Sequence, residues 1–268
     1  MKELLIRLYE VLSVRGDVPV PYGEYHFSWI IAVVIVTLSF ILLFSKVNDK
    51  TARIIIATAW AIMLIMELLK QLINCMTISG EEIIWGYNLG VFPYQFCSTP
   101  LYVMPMAAFM KDGYRRNTAI VFLSTFALIG GLAVYIAADS VLTGHKFVDF
   151  QSMIHHGIQI FIGLYIASRY RNVLTNKNFN RATIAFLFMS YFAILLNVTF
   201  MKIFEIRGID SSINLFFINP YVRYIPPVLE GLGLDKLPYL VFLFGYITLF
   251  ITISYLLMGA LSRLMRRT

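Results

Sequence analysis

Cys97 and His155 are the two side chains in this sequence whose pairing could do covalent chemistry. A thiolate attacks an acyl carbon, and an imidazole takes the thiol proton and returns it to the leaving group. Pro93 suits the first turn of a helix, which would place Cys97 about one turn inside it, close to free backbone N–H groups and the positive end of the helix dipole. His155 falls near the start of its own apolar stretch. A lone cysteine serves equally well as a small packing residue, so both roles stay open. Cys75 is the natural comparison, since it lies beyond a helical stretch with no helix start beside it. Adjacent residues on a helix point about 100° apart, so His155 and His156 cannot both serve one small site equally. His155 shares its face with Gln151, Ser152 and Gln159, and His156 is expected to bond a carbonyl of a neighbouring helix.

Metal chemistry is the competitor. His26, His155, His156, Cys97, Glu67 and Asp139 could supply ligands, but there is no HxxxH or HExxH spacing, and neither a metal nor another cofactor is expected. Phosphate loops, GxSxG elbows and dinucleotide fingerprints are absent from the sequence. Two cysteines cannot build a disulfide scaffold.

The elements that must position these groups are membrane spans. The 268 residues are 59% hydrophobic and only 14% charged, with a mean hydropathy of +0.75. An ordinary soluble domain carries about 25% charged residues, so a soluble enzyme, a disordered chain and a nucleic-acid binder are all disfavoured. Seven segments approach the roughly 20 apolar residues that cross a bilayer: 27–45, 54–73, 93–110, 118–138, 152–168, 182–201 and 239–261. The expected architecture is an all-α, seven-helix membrane bundle in one domain, 1–268. The third span is the weakest, since Pro93, Pro100 and Pro105 interrupt it. Residues 2–12 read as a short interfacial helix or equally as a frayed terminus, and the long apolar connection 202–238, with turns at Asn219-Pro220 and Pro226-Pro227, as a lid or binding loop or as a plain connector.

The connections after spans 1, 3 and 5 and the C-terminal tail hold thirteen lysines and arginines against Asp49 and Asp112 alone. That asymmetry predicts a cytoplasmic C-terminus and an outer N-terminus, in a multi-pass cell-membrane protein. With this threading the intramembrane polar groups fall at one depth. Glu67, Lys70, Gln71 and Asn74 form one stripe on span 2, spaced to let Glu67 and Lys70 pair. Gln95 and Cys97 open span 3, Asp139 ends span 4, His155 and Gln159 open span 5, and Asn197 ends span 6, while His26 precedes span 1. At 1.5 Å per residue, Glu67, Cys97, His155 and Asn197 lie roughly 5–9 Å below the outer boundary. Intramembrane charges usually face a cavity or one another. A one-sided outer pocket is therefore expected, with Glu67, Lys70, Gln95, His26, Asp139, Gln159 and Asn197 as candidate substrate contacts.

The motifs together resemble the YwaF-like integral membrane family, which includes the animal transmembrane protein 164. The matching stretches are EYHFSW before span 1, ELLKQL in span 2, FPYQFCSTPLYVMP in span 3, SMIHHGIQIFIGLY in span 5 and INLFFINPYVRYIPPVLEGLGLDKLPYLVF before span 7. The resemblance covers about residues 22 to 260 and implies a cysteine–histidine phospholipid acyltransferase working through an acyl-enzyme, with Cys97 matching the cysteine and His155 the histidine. The sequence thus supports a membrane lipid acyltransferase or acyl hydrolase with lipids as partners. The rivals are a transporter or lipid-binding protein without chemistry, and a structural membrane subunit. Polar residues are nearly absent at inner depth, which argues against a through-channel.

Overall fold

A computed structural model describes residues 2–80, 82–224 and 231–265. The Pro226-Pro227 turn and the basic Arg266 and Arg267 lie outside the described residues. Nine α-helices are described: α1 (Lys2–Leu12), α2 (Glu24–Phe44), α3 (Asp49–Asn74), α4 (Thr99–Phe109), α5 (Tyr114–Phe122), α6 (Leu128–Ile136), α7 (Lys146–Arg169), α8 (Asn176–Arg207) and α9 (Tyr239–Leu264). A short antiparallel pair, β1 (Met76–Ser79) and β2 (Glu82–Trp85), follows α3 with Met76 opposite Trp85. The sequence reading did not anticipate it.

Among the described residues, five stretches are long and apolar enough to cross a membrane: Glu24–Phe44, Asp49–Asn74, Tyr114–Ile136, Asn176–Arg207 and Tyr239–Leu264. The protein is an all-α membrane protein in its main architecture. The outermost helices wear their apolarity outward, as helices in lipid do. Among the described residues α2 buries only His26 and Thr37, and α9 only Ser254, Met258 and Leu261.

The other two expected spans differ in kind. Helix α7 is too polar to score as a span, because it runs through the middle of the bundle and turns its polar groups inward. Fifteen of its 24 residues are buried, and it packs against α2, α3 and α6. Helix α4 is only eleven residues long. Its start corrects the expectation that Pro93 opens the helix. The helix begins at Thr99 with Pro100 in its first turn, and Cys97 sits just ahead, in the 3-10 turn Phe96–Ser98. The reason is steric. A helix running from Pro93 would put Pro100 in its interior, where proline lacks the N–H and clashes with the preceding turn. Pro105 does sit inside α4, and the carbonyl it orphans, that of Leu101, accepts from Trp60 Nε1 of α3 at 2.9 Å.

Helices α5 and α6 form one span broken by the π-helical segment Leu123–Ala127. The hydroxyls of Ser124 and Thr125 donate to the Ile120 and Val121 carbonyls there, the second at 2.7 Å. Helix α8 runs on to Arg207, so the connection expected from 202 begins later, after the left-handed cap Gly208.

Candidate functional site

Helix α6 approaches α7 through two glycines. A Cβ on Gly131 would lie 2.9 Å from both the His156 carbonyl and Gln159 Cβ, and one on Gly130 would lie 3.0 Å from Phe96 Cε1. Both contacts border the Cys97 turn. Phe96 anchors that turn in an aromatic core, with ring centroids 4.7 Å from Phe250 and 5.4 Å from Phe216.

Cys97 is partly buried and free, as is Cys75. The charges of Lys70 and Glu67 both act on its thiol. Its carbonyl accepts two bonds from α7, from His155 Nε2 at 2.8 Å and Gln159 Nε2 at 2.6 Å. The imidazole therefore reaches the cysteine through its backbone oxygen. A carbonyl only accepts, so Nε2 of His155 carries the proton and Nδ1 presents a lone pair. That Nδ1 is buried and has no partner among the described residues. His156 departs from the expectation of a bond to another helix: its Nδ1 lies 2.7 Å from the carbonyl of Ser152, one turn back on α7. Its ring centroid is 5.3 Å from that of His155.

Glu67 is the hub of the neighbouring polar cluster and is only 3% exposed. Lys70 Nζ pairs with its Oε2 at 2.8 Å. Gln71 Nε2 donates to Oε1 at 2.6 Å, and Gln151 Nε2 reaches across from α7 to Oε2 at 3.2 Å. Tyr87 OH, just past β2, in turn donates to Gln71 Oε1 at 2.7 Å. A carboxylate with three donors is fully compensated. The charge of Lys70 also acts on both His155 and His156.

Glu67, Lys70 and Gln159 thus gather around Cys97 and His155. Of the other four candidates, three are bonded to other groups and one is exposed. Gln95 donates to the Asn214 carbonyl and accepts from Phe216 N–H, each at 3.0 Å. Asn197 donates to the Leu215 carbonyl at 3.0 Å and accepts from Leu215 N–H at 2.8 Å. Both amides clamp the α8–α9 connection at its 3-10 turn, where Phe216 and Phe217 hold left-handed φ values of 58°. Buried backbone needs partners, and these two side chains supply them. His26 is fully buried, accepts from Tyr22 N–H at 3.0 Å and packs against Tyr135. Asp139 is exposed, in the turn after α6. Gln71 and Gln151 were visible on the polar faces of their helices, but nothing in their spacing showed that both serve Glu67.

No group of three or more His, Cys, Asp or Glu side chains able to hold a metal occurs among the described residues. A family model described as the TMEM164 family matches residues 21–258. Neither the curated proteins nor the solved structures contain a match.

Proposed function

We propose that this chain, which belongs to the TMEM164 family, is a membrane-embedded lipid acyltransferase or acyl hydrolase in which Cys97 is the nucleophile and His155 the general base and acid. The supporting observation is the contact between the Cys97 turn and His155, which meet across 58 residues of chain with a buried, unpartnered Nδ1 left on the imidazole. In the proposed reaction His155 takes the thiol proton, the thiolate attacks the ester carbonyl of a phospholipid, and the imidazolium protonates the departing alcohol. Lys70 supplies positive charge where the oxyanion develops. Gln95 and Asn197 tether the α8–α9 connection at Asn214–Phe216 instead of binding substrate. The chain threads the cell membrane seven times, with α4 and α7 completing the five long spans, and lipid approaches from the outer leaflet.

A binding or transport protein without chemistry is the second reading. It is favoured by one fact: the His155 bond goes to the Cys97 carbonyl, as a purely positioning role would also require. Two variants separate the readings. Cys97→Ser preserves size and polarity, but a serine needs stronger activation than an imidazole here provides. His155→Gln can keep the donor to the Cys97 carbonyl while removing the base. The acyltransferase reading expects each to lower acyl transfer from radiolabelled phospholipid by about 10²–10⁴-fold, with Cys75→Ser unchanged. Retained activity in both Cys97→Ser and His155→Gln would hand the protein to the binding reading.

A further inference from the structure

Helix α7 carries three buried acceptors that the first acyl-transfer step does not consume together. His155 Nε2 faces the Cys97 carbonyl, which leaves Nδ1 as a lone pair. His156 Nδ1 faces the Ser152 carbonyl, so Nε2 is the lone pair on that ring. The NH2 of Gln159 also faces the Cys97 carbonyl, which leaves Oε1 as an acceptor. His155, His156 and Gln159 are 3%, 4% and 2% exposed. None of the three atoms meets a donor among the described residues. On a helix of 3.6 residues per turn, Gln159 lies about 40° from His155 and about 60° from His156, so its side chain projects between theirs.

Acceptors without donors select a ligand that brings donors. An anion finds only lone pairs there. A cation would share the site with the Lys70 charge that acts on both rings and would find no free carboxylate beside it among the described residues, since Glu67 is committed to Lys70, Gln71 and Gln151, and an uncompensated buried charge is costly. A neutral hydroxyl fits: it donates one hydrogen bond and carries a nucleophilic oxygen.

We propose that His156 and Gln159 form the subsite for the hydroxyl that receives the acyl group, with His156 as the base of this second half-reaction. The assignment rests on the acyl-enzyme reading above and divides the labour between the two histidines. The hydroxyl oxygen bonds to the thioester carbon as the carbon–sulfur bond breaks. The hydroxyl proton passes to His156 Nε2. The imidazolium then returns it to the departing thiolate, which restores the Cys97 thiol and a neutral ring. The hydroxyl comes from a second lipid in a transferase and from water in a hydrolase.

The test uses the full-length protein in proteoliposomes of phosphatidylcholine with a radiolabelled acyl chain, with and without added lysophospholipid. Three quantities are followed: label on Cys97, new phospholipid ester, and free fatty acid. New ester identifies a lipid hydroxyl as the acceptor and free acid identifies water, and either is compatible with the subsite. His156→Asn retains a donor near the Nδ1 position toward Ser152 but has no Nε2. It is expected to label Cys97 at the normal rate and hold the label, while product release falls roughly 10²-fold or more. Normal product release from His156→Asn, with Cys97 labelled in the unaltered protein, overturns the subsite and leaves the acyl-enzyme standing. Absence of Cys97 label in the unaltered protein and in His156→Asn overturns the acyl-enzyme itself. If His156→Asn does not fold, Gln159→Met decides. A severalfold higher KM for the accepting hydroxyl, with Cys97 labelling retained, supports the subsite, and an unchanged KM refutes it.

Discussion

At the scale of single residues, the strongest local dependence is on Glu67. It sits 3% exposed beneath three donors, one of them the Lys70 ammonium. Glu67→Ala leaves Lys70 without its counter-charge and Gln151 without its acceptor. Breaking a buried pair from one side typically costs about 3–5 kcal/mol. The expected outcome is a sharp loss of folded protein by size-exclusion chromatography in mild detergent. The double variant Glu67→Gln, Lys70→Met should recover part of it, since it strands no charge. Wild-type yield from Glu67→Ala would show that water solvates the lysine. The ion pair was legible from its i, i+3 spacing, whereas the third donor, Gln151, was not, because it comes from another helix. His155 teaches the same lesson. Residue types put a cysteine and a histidine at one depth, but which atom of Cys97 the imidazole touches depends on the local turn.

That turn is a matter of elements. Pro100 sits in the first turn, where the missing N–H is harmless, so α4 starts at Thr99, directly after the 3-10 turn that holds Cys97. Trp60 answers the carbonyl that Pro105 orphans, which keeps a proline-containing helix satisfied inside the bundle. The contact of α6 with α7 constrains the site, because Gly131 leaves no room for a methyl group. Gly131→Ala would press a Cβ to 2.9 Å from the His156 carbonyl, which is backbone and cannot swing aside. Overpacking of this kind costs typically 1–3 kcal/mol, roughly. We expect a lower thermal midpoint in detergent and, if the acyltransferase reading holds, an activity loss larger than the stability loss alone would cause, since α7 carries His155, His156 and Gln159. Unchanged stability and activity would show that α6 can slide without disturbing α7. The hairpin β1–β2 escaped the sequence reading because its two strands are four residues each, too short for an alternating pattern to emerge.

For the whole molecule, the orientation argument rests on charge. The expected inner face carries a paired cluster that bare counting hides. Arg116 bonds Asp49, Asp112 and the Tyr170 hydroxyl, and Arg53 bonds Asp49 and Asp112. The cluster ties the start of α3, the α4–α5 turn and the residue after α7 into one end of the bundle. The positive-inside rule counts lysines and arginines near the span ends and gives acidic residues little weight, so this pairing leaves the count behind the predicted orientation unchanged. In intact cells, with both native cysteines changed to serine, Lys2→Cys should react with a membrane-impermeant maleimide. Lys177→Cys should react only after permeabilisation. The reverse pattern would invert the topology and place the Cys97 cluster at the cytoplasmic leaflet.

Composition and hydropathy alone determined the membrane class, the helical architecture and the approximate bounds of α2, α3, α8 and α9, because the bilayer demands long apolar helices whatever their neighbours do. The order of spans, with the polar positions along them, also predicted that Glu67, Lys70, Gln95, Cys97, Asp139, His155, Gln159 and Asn197, with His26, would share one layer. What only the tertiary structure decided is how those groups spend their hydrogen bonds. Gln95 and Asn197 looked like ligands and turned out to hold backbone of the α8–α9 connection. His155 and Gln159 converge on one carbonyl rather than on the thiol. Buried polar groups must find partners, and the nearest partner is set by helix rotation and turn geometry, which depend on contacts between residues far apart in the chain.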